Sequence, residues 1–362
     1  MSRLVPEDIF DWVWIPFIRT LVFLRLGSIT RAPSNVDSGR TRVLWEEAIR
    51  RGITLEEFHP LNIGQDIFLA RFGKEKRFFE DMPRPKGFHR EGIDWMDDKY
   101  EMKKRFLRAE IPVAKGGVAR TERQALRMFR KIGKPVITKP NPGSRSRHTT
   151  IHIQNEDAFL SAFRKAEQLS PWVIIEEELE GFVFRATVIG KKFVAALRRE
   201  PAYVIGDGTH TVRALVEIEN KNPLRQGPHF HEIHADAAAE AELKHARYTW
   251  DAIPKKDTVV LLGQKTSRGV GGGITDVTGD VHPDNVALFE KIAHVVDDPL
   301  IGIDFIANDL AHSWKTEPRC GVIECNSAPF LDLHHFPLIG TPRNAAGALW
   351  DIIFPASKPR KS

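Results

Sequence analysis

Cysteine is nearly missing from this chain: Cys320 and Cys325 are the only two among 362 residues. That leaves no disulfide framework, and a chain of this length can build a core without one. Two neighbouring thiols in such a chain point to a reducing compartment, so a cytoplasmic location is expected. Excess charge is scarce as well, since 53 basic and 48 acidic side chains leave a net +5. No arginine-rich tract or aromatic–basic repeat accompanies it, which argues against a nucleic-acid partner. The small positive balance suits a protein that handles small anionic molecules.

Long apolar runs are lacking too. The richest stretch, Ile9 to Leu26, is broken by Pro16, Arg19 and Arg25. It falls short of the ~20 apolar residues that a membrane span requires. It also has no small-residue cleavage site, so it does not read as a signal peptide. Two readings stay open for residues 9–26: a helix docked on the body, or an interfacial helix that meets a membrane surface or a partner. Internal repeats, low-complexity tracts and a Walker-type GxxxxGK[ST] sequence are all absent.

The length fits two or three units. RAPSNVDSGRT (31–41) reads as a polar linker, Arg42 to Arg51 as a helix stopped by Gly52, and MPRPKG (82–87) as a boundary. The expected units are 1–98, with its apolar leading helix, then 99–180 and 181–356. In the second, a charged amphipathic helix precedes a strand-like IPVA (111–114). A helix near 121–132, strands at 133–140 and 149–154, a helix at 156–169 and a strand at 172–179 follow. That order predicts an α+β unit with an antiparallel sheet. Beyond Gly181, strands are expected within 184–200, 257–263, 301–307 and 320–326, with a helix at 283–296. KTSRGVGGGITD (265–276) reads as a glycine-rich loop.

Asp304 lies inside an otherwise apolar strand, IGIDFIA, where a lone charge is costly. Glu324 and Asn326, two apart in GVIECN, face the same side of a strand, and Cys325 faces the other. If the two strands are neighbours, three oxygen-bearing side chains converge. Such a set suits Mg²⁺, which takes one or two carboxylates and leaves other positions to phosphates and water. Lys139 ends an apolar strand just before the loop NPGSRSRH (141–148), where it could meet phosphate oxygens beside Arg145 or Arg147. The acidic strand end Glu176-Glu177-Glu178-Leu179 could pair its backbone with an adenine edge and lend a carboxylate to ribose. It could equally be a solvated face. His229, His231, His234 and Asp236 have a spacing open to a transition metal, or are simply a polar loop.

The segments VITKP, VIIEEELEG, REPAYVIGDGTHT, GGGITDVT, GIDFI and VIECNSAP occur in the order seen in ATP-grasp ligases. From about Asp98 to Pro355 the chain resembles the ATP-grasp portions of cyanophycin synthetases and of bifunctional glutathione-synthesising ligases. The resemblance implies an α+β ATP-grasp fold, with two α/β subdomains clasping ATP and a smaller N-terminal α/β domain ahead of them. It implies ATP and Mg²⁺ as cofactors, with Mn²⁺ as an alternative. Lys99 and Lys139 match the phosphate-contacting lysines, with Arg147 beside them. Glu176, Glu177, Glu178 and Leu179 match the hinge for adenine and ribose. Asp304, Glu324 and Asn326 match the metal positions. Arg199 and His334 match residues on the substrate side, and Arg185 matches an arginine just after the hinge.

The implied reaction joins a carboxylate, of an amino acid or small peptide, to an amine through an acyl-phosphate. The chain departs from the family at Ser146 and His148 in the phosphate loop, at Val183 and Phe184 after the hinge, and at Gly263 and Ser267. Near the last two, Lys265 and Arg268 are cations that can act instead, which points to an altered substrate. No glutamate–cysteine ligase domain fits into the first ~95 residues, so a stand-alone ligase making one bond per ATP is expected. Small molecules are the expected partners, and homo-oligomerisation is left open. A rival reading is a degenerate ATP-grasp protein that binds nucleotide in a regulatory or membrane-associated role. A kinase that stops at a phosphorylated product is a third.

Overall fold

The structure is a computed structural model that describes residues 15–33, 38–61, 67–88, 94–96, 98–141 and 148–359. Expectations for residues 9–14 and for Arg145, Ser146 and Arg147 fall outside these. Among the described residues three sheets of four or more strands carry the architecture.

The first is built from helix α1 (Ile15–Phe23), strand β1 (Gly27–Thr30), helix α2 (Gly39–Arg50) and strands β2 (Thr54–Pro60), β3 (Ile67–Phe72) and β4 (Glu75–Glu80). The strands pair antiparallel in sequence order. The Ser38 side chain accepts from the Thr41 amide and so starts α2 inside the stretch expected to be linker. Ile15 and Ile18 anchor α1 against Phe58 and Leu69, while Phe17, Phe23 and Leu24 are exposed on its outer side. Among the described residues no helix is long and apolar enough to cross a membrane.

Helix α3 (Lys99–Arg108) is capped by Asp98, which accepts from the amides of Tyr100 and Glu101. The IPVA segment after it makes only a single bridge, Val113 to Val322, rather than a strand. Strand β5 (Gly116–Ala119), helix α4 (Glu122–Lys131), strands β6 (Val136–Pro140) and β7 (Thr150–Ile153), helix α5 (Glu156–Glu167) and strand β8 (Val173–Glu177) form the second sheet, ordered β5-β8-β6-β7. Its core is apolar and closed by Phe129 stacked on Phe159, ring centroids 4.5 Å apart.

The third sheet comprises β9 (Phe182–Ile189), β10 (Lys192–Glu200), β13 (Gly273–Asp276), β14 (Leu300–Ala307) and β15 (Gly321–Asn326). It is antiparallel, ordered β13-β10-β9-β14-β15. A smaller lobe inserted after β10 holds β11 (Tyr203–Ile205), α6 (Val212–Asn220), α7 (Ala237–His245) and β12 (Val259–Leu261). Within the expected glycine-rich loop, Gly273–Asp276 is a strand paired with β10. Helix α8 (Pro283–Val296) covers the apolar face of the sheet with Leu288, Phe289 and Ile292. Short α9 (Asp332–His335) and α10 (Ala345–Ile353) follow β15.

The cores do not follow the sequence order of the sheets. Met102, Phe106, Ile111 and Val113, in and after α3, pack into the core under the third sheet. Trp45, Phe68 and Phe79 of the first unit share one cluster with Ile189, Leu300, Leu349, Trp350 and Phe354.

Candidate active site

Period-two alternation sorts the third sheet into two faces. Phe184, Ala186, Val188, Ile301, Ile303, Phe305, Val322 and Cys325 face the core. Burial drives the Cys325 thiol upward in pKa, so it stays a protonated packing group. The opposite face is polar. There the register aligns Arg185 with Asp304 and Asp304 with Glu324, while Thr187 and Asn326 flank Gly302. A Cβ on Gly302 would stand 2.8 Å from Pro329 Cβ and 3.2 Å from Arg185 Nη1, so a bare backbone makes room for the guanidinium.

Arg185 grips Asp304 with both arms of its fork, Nε to Oδ1 at 2.5 Å and Nη2 to Oδ2 at 3.0 Å. Both side chains are buried, at 7% and 6% exposure. Burial opposes the charge on Arg185, but Asp304 more than restores it and raises the guanidinium's pKa. Arg199 Nη1 lies 3.9 Å from Asp304 Oδ2. Burial, with Arg185 and Arg268 nearby, leaves Arg199 a less firmly protonated arginine than usual. Arg268 is drawn onto the fully buried Asp332 at 2.6 Å. Lys265 stands exposed on the loop, and among the described residues no hydrogen bond or ion pair joins it to this cluster.

His334 is buried, and its Nε2 lies 2.7 Å from the Thr187 hydroxyl. Burial and then Arg185 push its pKa down to about 3, so the ring is neutral and available for hydrogen bonding. Among the described residues its Nδ1 has no hydrogen-bond partner.

A second group of charges lies at one end of this floor. Lys99, Lys103, Lys139 and Glu176 line a small crevice with Met102, Val113, Val322 and Ile323. Lys103 Nζ sits 2.5 Å from Glu176 Oε2, and Lys139 binds the other oxygen. Burial alone would raise Glu176, but Lys139 and Lys103 outweigh it and bring the carboxyl down to about 2. Strand β15 joins the two groups: Val322 and Ile323 wall the crevice, and Glu324 and Asn326 continue onto the floor.

The expected hinge is fully occupied by contacts. Glu176 holds the two lysines, Glu177 accepts the Lys115 amide at 2.8 Å, and Glu178 accepts the His152 amide at 2.8 Å. Leu179 is buried beside them. The histidine stretch forms no metal cluster among the described residues. His229 instead stacks on Phe336, ring centroids 3.7 Å apart. Sequence reasoning passed over Lys103, Thr187 and Asp332. The first was detectable, because Lys99 and Lys103 are four apart in a helix and share one side of it.

Asp304, Glu324 and Asn326 supply two carboxylates and an amide oxygen, a hard donor set that fits Mg²⁺. Arg185 engages one lone-pair direction on each oxygen of Asp304, which leaves the others available.

The chain has the ATP-grasp fold and resembles the ligases of that class. No protein-family model matches it. It is 30% identical over 322 residues to cyanophycin synthetase of Nostoc sp., covering 87% of this chain and 35% of that protein. It is 26% identical over 321 residues to the glutathione biosynthesis bifunctional protein of Listeria monocytogenes, covering 87% of this chain and 41% of that one. Among solved structures it superposes on a bifunctional glutathione synthetase from Pasteurella multocida with a TM-score of 0.69 at 26% identity, over 88% of this chain and 43% of that chain. The chain thus spans less than half the length of these relatives.

Proposed function

We propose that this protein is an ATP-dependent ligase that forms an amide bond between a carboxylate, of an amino acid or small peptide, and an amine. One observation carries the reading: a single strand, β15, runs from the wall of the lysine crevice onto a floor of carboxylates and arginines. Lys99, Lys139 and Arg147 hold the triphosphate, and the backbone of the segment Glu176 to Leu179 receives the adenine edge. Asp304, Glu324 and Asn326 would hold Mg²⁺, which when bound neutralises phosphate charge.

Arg199, with Arg268 and Lys265 nearby, orients the substrate carboxylate, whose oxygen attacks the γ-phosphorus while ADP leaves. The amine then attacks the acyl carbon and inorganic phosphate departs. The arginines stabilise the oxyanion at that step. His334, neutral and buried, fixes the substrate side through a hydrogen bond. Residues 99–180 act as the lid, 181–356 carry the chemistry, and 1–98 support it.

The test is an ATP-consumption screen across paired amino acids and short peptides, with product masses. ADP and phosphate release that requires both a carboxylate and an amine, with a condensed product, is expected. ATP binding with no turnover across the panel would instead favour a nucleotide-binding regulator, and a phosphorylated product would make the protein a kinase.

A further inference from the structure

The buried triad Lys103–Glu176–Lys139 contains more charge than a phosphate site needs. Glu176 is 4% exposed and Lys103 7% exposed, and each Glu176 oxygen takes one lysine. Lys139 is the more open of the two, with 15% side-chain exposure against 8% for Lys103. Both lysines line the crevice. A phosphate arriving there competes with Glu176 for Lys139. If Lys139 moves, the buried carboxylate loses a cation, and an uncompensated buried charge is strongly unfavourable.

Building on the nucleotide-site reading above, we propose that Lys103 is a positioning residue that keeps Glu176 neutralised and so frees Lys139 for the nucleotide's phosphates. Glu176 acts as a holder of lysines rather than as a ribose ligand. Its carboxylate parks Lys139 at the crevice while no anion is present, and Lys103 stays behind as its partner once Lys139 is engaged. Backbone packing enforces the arrangement. Gly116 pairs with Glu176 across β5 and β8, and a Cβ there would lie 2.1 Å from the Ile175 carbonyl oxygen. Strand β5 therefore lies close against the backbone that carries Glu176.

The experiment is calorimetric binding of Mg·ATP to the full chain and to Lys103→Met, Glu176→Gln and the double variant, with thermal unfolding of each. Lys103→Met should weaken binding by about tenfold or more, because Glu176 then retains Lys139. Adding Glu176→Gln to Lys103→Met should restore binding to within about threefold of the starting protein, since a neutral amide exerts no such hold. Glu176→Gln alone should bind at least as tightly as the starting protein, and this arm stands even if Lys103→Met does not fold. The proposal is overturned if the double variant stays as weak as Lys103→Met, which would make Lys103 a direct phosphate ligand, or if Glu176→Gln alone weakens binding. Absence of Mg·ATP binding by the starting protein would instead reject the nucleotide-site reading, so the two failures are distinguishable.

Discussion

Replacing Arg185 with leucine tests the polar floor where it is most tightly built. The change removes both arms of the fork at 2.5 and 3.0 Å and leaves Asp304, 6% exposed, with Arg199 at 3.9 Å as its one ion-pair partner among the described residues. Removing one partner of a buried pair costs about 3–5 kcal/mol. Arg199 offers partial compensation, which places the expected loss near the lower end, at about 3 kcal/mol. With an unfolding entropy of about 2.1 cal/mol/K per residue, a chain of 362 residues shifts by about 1.3 °C per kcal/mol, so the melting temperature should fall by about 4 °C.

Thermal unfolding with and without Mg²⁺ is the assay. A divalent cation that reaches Asp304 replaces the missing positive charge, so added Mg²⁺ should stabilise Arg185→Leu more than the unaltered protein. A second substitution, Asp304→Asn, should return most of the lost stability, because the amide needs no counter-charge. An unchanged melting temperature in Arg185→Leu, or a double variant as unstable as the single one, would refute the account of the floor as a charge-balanced pair.

The remaining expectations are simpler. Glu324→Gln and Asn326→Ala should each cut ligase turnover by about a hundredfold or more while leaving the melting temperature within about 1 °C, as read by coupled ADP release. His334 and His335 have pKa values pushed down by burial to about 3 and about 4, from 6.5. The unfolded chain therefore binds more protons below pH 6.5, and stability should fall as pH drops from 6.5 towards 4. Each histidine contributes up to about 2 kcal/mol between pH 6.5 and pH 5, and His335→Gln should flatten that limb in urea titrations. Gly181 has φ +114°, and a Cβ there would sit 2.0 Å from the Ala307 carbonyl oxygen. Gly181→Ala should lower stability by about 2–3 kcal/mol, and an unchanged urea midpoint would count against this close approach.

Strands with apolar alternation, such as Phe182–Ile189 and Leu300–Ala307, were legible in the sequence because burial on one face imposes the pattern. Strand β13 was hidden by its glycines, since GGGITD lacks the β-branched run that marks a strand. Helix α7 was masked by the histidines ahead of it, although Asp236 caps it by accepting from the Ala238 and Ala239 amides. Beyond the hairpin of β9 and β10 around Gly190–Lys191, pairing order could not be read. That β13 lies beside β10, and β14 beside β9, depends on contacts far apart in sequence. At the candidate site, the alternation of Glu324 and Asn326 was readable from the period of two. The capture of Glu176 by Lys103 was not, because it depends on a helix crossing a sheet 73 residues away.

The shared core between the first sheet and α10 bears on the order in which the chain is made. The Trp350 indole N–H donates to the Leu44 carbonyl at 3.1 Å, and Arg51 pairs with Asp351 at 2.6 Å. Trp45, Phe68 and Phe79 find part of their covering in Leu349, Trp350 and Phe354, far downstream in the chain. The early sheet therefore waits, with apolar side chains uncovered, until the stretch through Phe354 has been synthesised. During that interval the uncovered surface is open to aggregation and to capture by a chaperone.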